Sequence, residues 1–129
     1  MPDAITVLLV DEDRDILDLT ATFLERADDG LQVSTCVNVA DAVATIEADP
    51  GGVDCVISDY TMPEMTGVEF LETVREIDPE MPFFAFTGRE REDVEAELGT
   101  ESFTGYVKKG TGTERYEELA AEIRNAVET

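Results

Sequence analysis

The sequence predicts an α/β fold: a five-stranded parallel sheet, order 2-1-3-4-5, doubly wound with helices on both faces. Two observations predict it. Strand-like and helix-like patterns alternate along the whole chain, and successive strand-like runs end on a chemically reactive side chain. The run Ile5–Val10 ends on Asp11-Glu12-Asp13, and 53–58 ends on Asp59. The run 82–86 ends on Thr87-Gly88, and 105–107 ends on Lys108-Lys109. In an open parallel sheet, ligands bind along the edge where the strands stop.

Each element has its own justification. Ile5–Val10 is continuously apolar, as expected of a strand covered on both faces. From Arg14 to Ala27, Ile16, Leu17, Leu19, Ala21, Phe23 and Leu24 recur at helical spacing, with Asp13 or Asp15 as the cap and Asp28-Asp29-Gly30 as the stop. Residues 31–37 are β-rich. Residues 40–48 form a helix with Val39, Val43 and Ile46 on one face, ended by Pro50-Gly51-Gly52. A strand follows at 53–58, then a helix at 68–77 that turns Val68, Leu71, Val74 and Ile77 inward. A strand at 82–86 precedes a short acidic helix at 90–98. A last strand at 105–107 and a last helix at 115–127, with Leu119, Ile123 and Val127 inward, complete the pattern.

At 129 residues the chain has room for one domain, 1–129, with its core at 5–127. Whether it is a whole protein or cut from a longer one is left open by the sequence. No stretch is apolar enough to cross a membrane, and no signal peptide pattern opens the chain. A cytoplasmic location is expected. Thirty-one acids against 9 bases leave a net charge of −22. Such a surface repels nucleic acid and anionic lipid, so direct contact with either is not expected. The acids are spread along the whole chain, which favours adaptation to high salt, hence a halophilic source, over recognition of a basic partner.

There are 2 cysteines and no histidine. That excludes a histidine-based triad, a histidine metal site and a phosphohistidine on this chain. In the expected strand order the first strand separates Cys36 from Cys55 by about 9–10 Å. This is too far for a disulfide, so both are expected as free thiols.

Four motifs share this order of strand ends: Leu9-Val10-Asp11-Glu12-Asp13, Asp59-Tyr60-Thr61-Met62-Pro63-Glu64-Met65-Thr66-Gly67, Phe86-Thr87-Gly88 and Gly105-Tyr106-Val107-Lys108-Lys109. Alone, each has an ordinary explanation. Asp59 could form a turn before Met-Pro, and Asp11 and Glu12 could favour a helix N-terminus. Together they resemble a receiver domain of a two-component response regulator, of the single-domain chemotaxis-regulator type with a flavodoxin-like fold. The likeness runs from Ile5 to Val127.

The chemistry fits these residue types. Asp59 is the candidate nucleophile, since a carboxylate accepts a phosphoryl group as an acyl phosphate. Asp11 and Glu12 would stand close by, and three carboxylates in one pocket call for a divalent cation with oxygen ligands, which suits Mg²⁺. The resemblance adds the backbone carbonyl of Thr61 as a further metal ligand. Lys109 would bring a cation to the phosphoryl oxygens and Thr87 a hydroxyl, while Tyr106 is implied to turn inward when Thr87 moves. Strand alternation and the motif both favour Lys109 over Lys108.

The resemblance further implies a donor, a sensor histidine kinase or phosphotransfer domain, and a downstream protein bound on the face formed by residues 90–127. It implies a signalling switch with intrinsic autophosphorylation and autodephosphorylation rather than an enzyme in the ordinary sense. Two departures stand out. Glu12 occupies a position where the family usually has aspartate, and Gly110 follows Lys109 where proline is usual. Rival readings are a receiver segment of a hybrid kinase, a haloacid-dehalogenase-type phosphatase using Asp11 as nucleophile and Asp13 as acid, and a flavodoxin-like FMN binder. Three acids where a phosphate cradle should lie argue against the last.

Overall fold

A computed structural model describes residues 4–49, 51–59, 67–87, 104–108 and 114–128. The apolar run Ile5–Val10 forms β1. Asp13 caps α1 (Arg14–Ala27), its carboxylate accepting from the amides of Asp15 and Ile16. The strand β2 (Leu31–Cys36) follows, and then α2 (Val39–Ala48), capped by Asn38, whose side chain accepts from Asp41 N at 2.7 Å. The remaining elements are β3 (Cys55–Ser58), α3 (Gly67–Ile77), β4 (Phe83–Thr87), β5 (Gly105–Lys108) and α4 (Glu114–Glu128). The acidic helix expected at 90–98 lies outside the described residues.

The strands form one parallel sheet in the order β2-β1-β3-β4-β5. The α/β class and the parallel sheet between helices are those expected. Alternation sends successive side chains into two separate cores. On one face Val7, Leu9, Cys55, Ile57, Phe84, Phe86 and Val107 pack with Leu17 and Leu24 of α1 and Leu119 and Ile123 of α4. On the other, Leu8, Val10, Val56 and Phe83 pack with residues of α2 and α3, among them Ile46, Phe70 and Val74.

Helix rotation departs from the expected faces at two places. Leu19 is 50% exposed, while Thr20 is buried. Residues two apart on a helix lie about 200° apart, so burying Leu17 turns Leu19 outward. In α3, Phe70 is fully buried beside Leu71 and Val74, its ring edge-on to Phe83 at 5.3 Å. Strand β3 starts two residues later than expected. Asp54 replaces a ladder rung there: its amide donates to Thr6 O at 2.9 Å and its carboxylate accepts from Thr6 N at 2.9 Å.

Side chains fasten the edge where the strands begin. Arg124 of α4 donates two hydrogen bonds to Asp28, at 2.5 and 2.7 Å, beside the start of β2. A Cβ at Gly30 would lie 2.5 Å from that guanidinium, so a larger residue there would push the arginine aside. Arg75 of α3 donates to Met81 O at 3.0 Å and to Thr104 Oγ1 at 3.4 Å. Thr104 Oγ1 also accepts from Phe83 N at 3.0 Å. Both cysteines are free thiols, on strands separated by β1 as expected. Burial pushes both thiols above their ordinary range, Cys55 further than Cys36. No helix among the described residues is long and apolar enough to cross a membrane.

Candidate functional site

The opposite edge of the sheet carries the acids. Val10 pairs with Ser58 in the β1–β3 ladder, so the residues that follow, Asp11 and Asp59, leave adjacent strand ends. Asp59 N donates to Val10 O at 3.1 Å, and Asp11 N donates to Cys36 O at 3.2 Å. The ladder thus runs one residue past both strands and fixes both backbones where the side chains leave the sheet. Neighbouring strands lie about 4.8 Å apart, which brings the two carboxylates within reach of one small ligand.

Asp11 is 4% exposed, and its Oδ1 accepts from Asp13 N at 3.0 Å. That turn carries the chain directly into α1, whose cap is Asp13. Asp59 is half-buried. Ser58, 1% exposed, donates its hydroxyl to Asp59 O at 2.7 Å and holds the peptide that presents the acid.

Glu12 is exposed. Among the described residues, no three His, Cys, Asp or Glu side chains gather as a metal site. The Asp11–Asp59 pair still matches a Mg²⁺ site, because that ion retains several waters and takes only one or two carboxylates. Thr87 ends β4, its backbone paired in register with Lys108, and Tyr106 pairs with Ala85. Ala85 in turn pairs with Ser58, so Ser58, Ala85 and Tyr106 form one row across the sheet. Thr61 and Lys109 lie outside the described residues.

The sequence profile of the response regulator receiver domain matches residues 7–122. The chain belongs to this receiver domain family. It is similar to the C4-dicarboxylate transport transcriptional regulatory protein DctD of Rhizobium meliloti, 36% identical over 88 residues, which covers 68% of this chain and 18% of DctD. It is similar also to the response regulator SaeR of Staphylococcus epidermidis, 28% identical over 103 residues, covering 80% of this chain and 43% of SaeR. The receiver chain therefore spans less than half the length of these curated relatives. Among solved structures it resembles the chemotaxis response regulator CheY4 of Vibrio cholerae, with a TM-score of 0.79 and 26% identity, over 93% of this chain and 98% of that one.

Sequence reasoning missed two contributors to this receiver's site. Ser58 was visible as a polar residue inside a buried apolar run. The Asp11–Asp13 turn was visible as acids two apart before a helix, a spacing that suits a carboxylate accepting a backbone N–H two residues on.

Proposed function

We propose that the chain is a phosphoacceptor switch in a two-component phosphorelay, with Asp59 as the acceptor. The observation that carries this reading is that Asp59 and the buried Asp11 leave adjacent strand ends, where Asp59 N donates to Val10 O. A carboxylate oxygen of Asp59 attacks the phosphorus of a phosphohistidine on a sensor histidine kinase or phosphotransfer domain. The P–N bond breaks, the imidazole nitrogen leaves with the electron pair, and an acyl phosphate forms. Water later attacks that phosphorus, returning the carboxylate and inorganic phosphate.

Asp11 and Asp59 would hold Mg²⁺, with the carbonyl of Thr61 and with Glu12 directly or through water. Bound there, the ion supplies charge neutralisation between the two carboxylates and stabilises the transferring phosphoryl oxygens. Lys109 anchors one phosphoryl oxygen with its ammonium group and Thr87 donates its hydroxyl to another. Their engagement shifts a two-state equilibrium that Tyr106 reports, and the surface of residues 90–127 then selects a different downstream protein. The charge of −22 keeps nucleic acid and anionic membrane from being direct partners.

The phosphatase reading has little support, because the Asp13 carboxylate is engaged as the cap of α1. The deciding experiment is incubation with a small phosphodonor and Mg²⁺, followed by peptide mapping by mass spectrometry. One phosphoryl group on Asp59, and none on Asp59→Asn, is the expected result. A phosphoryl group on Asp11 would overturn the assignment in favour of the phosphatase.

A further inference from the structure

The helices α2 and α3 both end at a cavity of about 200 Å³, on the edge of the sheet where the strands begin. Its apolar lining comes from Ile46, Val53 and Met81, all buried, and from the half-buried Ile77. Its charged lining is Asp49 and Asp78, the residues that follow the last turns of the two helices. Asp49 is exposed; Asp78 is half-buried, and its Oδ1 accepts from Glu80 N at 3.0 Å. A helix C-terminus carries the negative end of the helix dipole, which disfavours an acid and favours a cation. Two such ends, each bearing an acid, meet at this cavity. The last turn of α2 holds no base. Arg75, in the last turn of α3, donates to Met81 O and Thr104 Oγ1 and does not line the cavity.

We propose that this cavity binds a small organic ammonium ion, a primary amine carried on a single apolar ring. The proposal is independent of the phosphoacceptor reading. A dry apolar cavity of about 150 Å³ takes benzene, so this one has room for a ring and a short arm. The ring is held by its removal from water against the four apolar side chains, and the ammonium by the two carboxylates and the helix ends. A bare metal ion is a poorer match. It would meet carboxylate oxygens on one side only, with hydrocarbon and a thioether on the other, where K⁺, Mg²⁺ and Ca²⁺ need oxygen ligands. A lysine side chain offered by a partner protein is too slender to fill the space and would leave apolar lining without contacts. A ligand that binds only the folded chain raises the folded-to-unfolded ratio, by about elevenfold at ten times its dissociation constant.

The test is nuclear magnetic resonance of the full chain, titrated with phenethylammonium at a fixed KCl concentration. The Met81 and Ile46 methyl signals should shift to saturation, and the Tm should rise with ligand concentration. Phenethyl alcohol, the neutral counterpart, should bind about tenfold more weakly, since two rim charges contribute about threefold each. Asp49→Asn combined with Asp78→Asn should lower the affinity for phenethylammonium to that for the alcohol and leave the alcohol unchanged. The rest of the net charge of −22 stays in place in that variant, which separates the cavity from general attraction to an acidic surface. Ile77→Phe, which fills the cavity, should abolish binding of both compounds, and it serves as the second variant should the asparagine pair not fold. The absence of a saturable shift at Met81 and Ile46 would overturn the site. Equal affinity for amine and alcohol, or binding undiminished in the asparagine pair, would overturn the ammonium assignment. Nα-acetyl-lysine amide bound as tightly as phenethylammonium would overturn the small amine in favour of a partner's lysine.

Discussion

Thr20→Val should stabilise this domain. Thr20 lies on the inward face of α1 between Leu17 and Leu24, is 1% exposed, and its hydroxyl has no hydrogen-bond partner. Three other helical threonines, Thr22 and Thr45 exposed and Thr73 half-buried, behave differently. Thr22, Thr45 and Thr73 donate to the carbonyls of Asp18, Asp41 and Glu69, at 2.8, 2.8 and 3.0 Å. The Thr20 hydroxyl therefore loses water without gaining a partner, at a cost of about 1–3 kcal/mol. Valine has the same shape, adds an apolar methyl in place of the hydroxyl, and has a similar helix propensity. Relief of part of that cost makes the expected gain about 1–2 kcal/mol. For a chain of this length each kcal/mol raises the Tm by roughly 4 °C. Urea unfolding in concentrated KCl should give a higher midpoint with an unchanged slope. A midpoint equal to or below that of the unsubstituted chain would refute the reasoning, and would point to a buried water on the hydroxyl.

Other consequences follow from the site and the charge. Asp11→Ala should weaken Mg²⁺ binding about tenfold or more and abolish labelling by small phosphodonors, because one hard oxygen ligand is gone; an unchanged Mg²⁺ titration removes the metal assignment. Thermal melting followed from about 0.05 M to about 2 M KCl should show a rising Tm as screening shortens the range of self-repulsion among 22 net negative charges; a flat profile counts against both the repulsion and the halophilic source. Lys109→Ala should keep Mg²⁺ binding yet lose the beryllofluoride-induced shifts at Gly88 and Tyr106, whereas Lys108→Ala should be close to neutral; the reverse result places the functional lysine one residue earlier. The Arg124 guanidinium bonded to Asp28 holds that carboxyl below its usual 3.8. Its contribution to stability is therefore present above the unfolded carboxyl value and lost as pH falls through the depressed folded value. Asp28→Asn should cost less than about 1 kcal/mol at neutral pH, because the pair is partly solvated, and the difference should vanish in acid; a gap that persists there would assign the loss to packing.

The sheet and its acid-bearing edge were legible because strands covered on both faces read as continuous apolar runs. Ile5–Val10 and Cys55–Ser58 are such runs, and in each the first charged residue past the strand, Asp11 or Asp59, announces its end. Helix faces were less legible. Apolar spacing in α1 admitted Leu19 as readily as Leu17, and only packing against the sheet decides which is covered. Phe70 escaped for the same reason, since its ring is fixed by Phe83, a residue on a different element. The roles of Ser58 and Asp54 depend on which backbone group stands beside them across the fold. No local pattern could join Phe86 to Tyr116 and Phe23, which meet only in the folded chain. Thr61 and Lys109, named from the motif alone, lie outside the described residues.

The fastened edge of the sheet has a consequence for how this domain tolerates change. Asp28 with Arg124, Asp54 with Thr6, and Arg75 with Met81 and Thr104 all tie the ends where strands begin. The ends where strands stop carry Asp11 and Asp59 instead. The two ends therefore divide the work of the molecule: substitutions at the first register as a change in how much protein is folded, and substitutions at the second as a change in what the folded protein does. In so acidic a chain, Arg75 and Arg124 are also hard to replace. Few other cations are available to take over their bonds, so a loss at the tied end has little chance of repair from nearby.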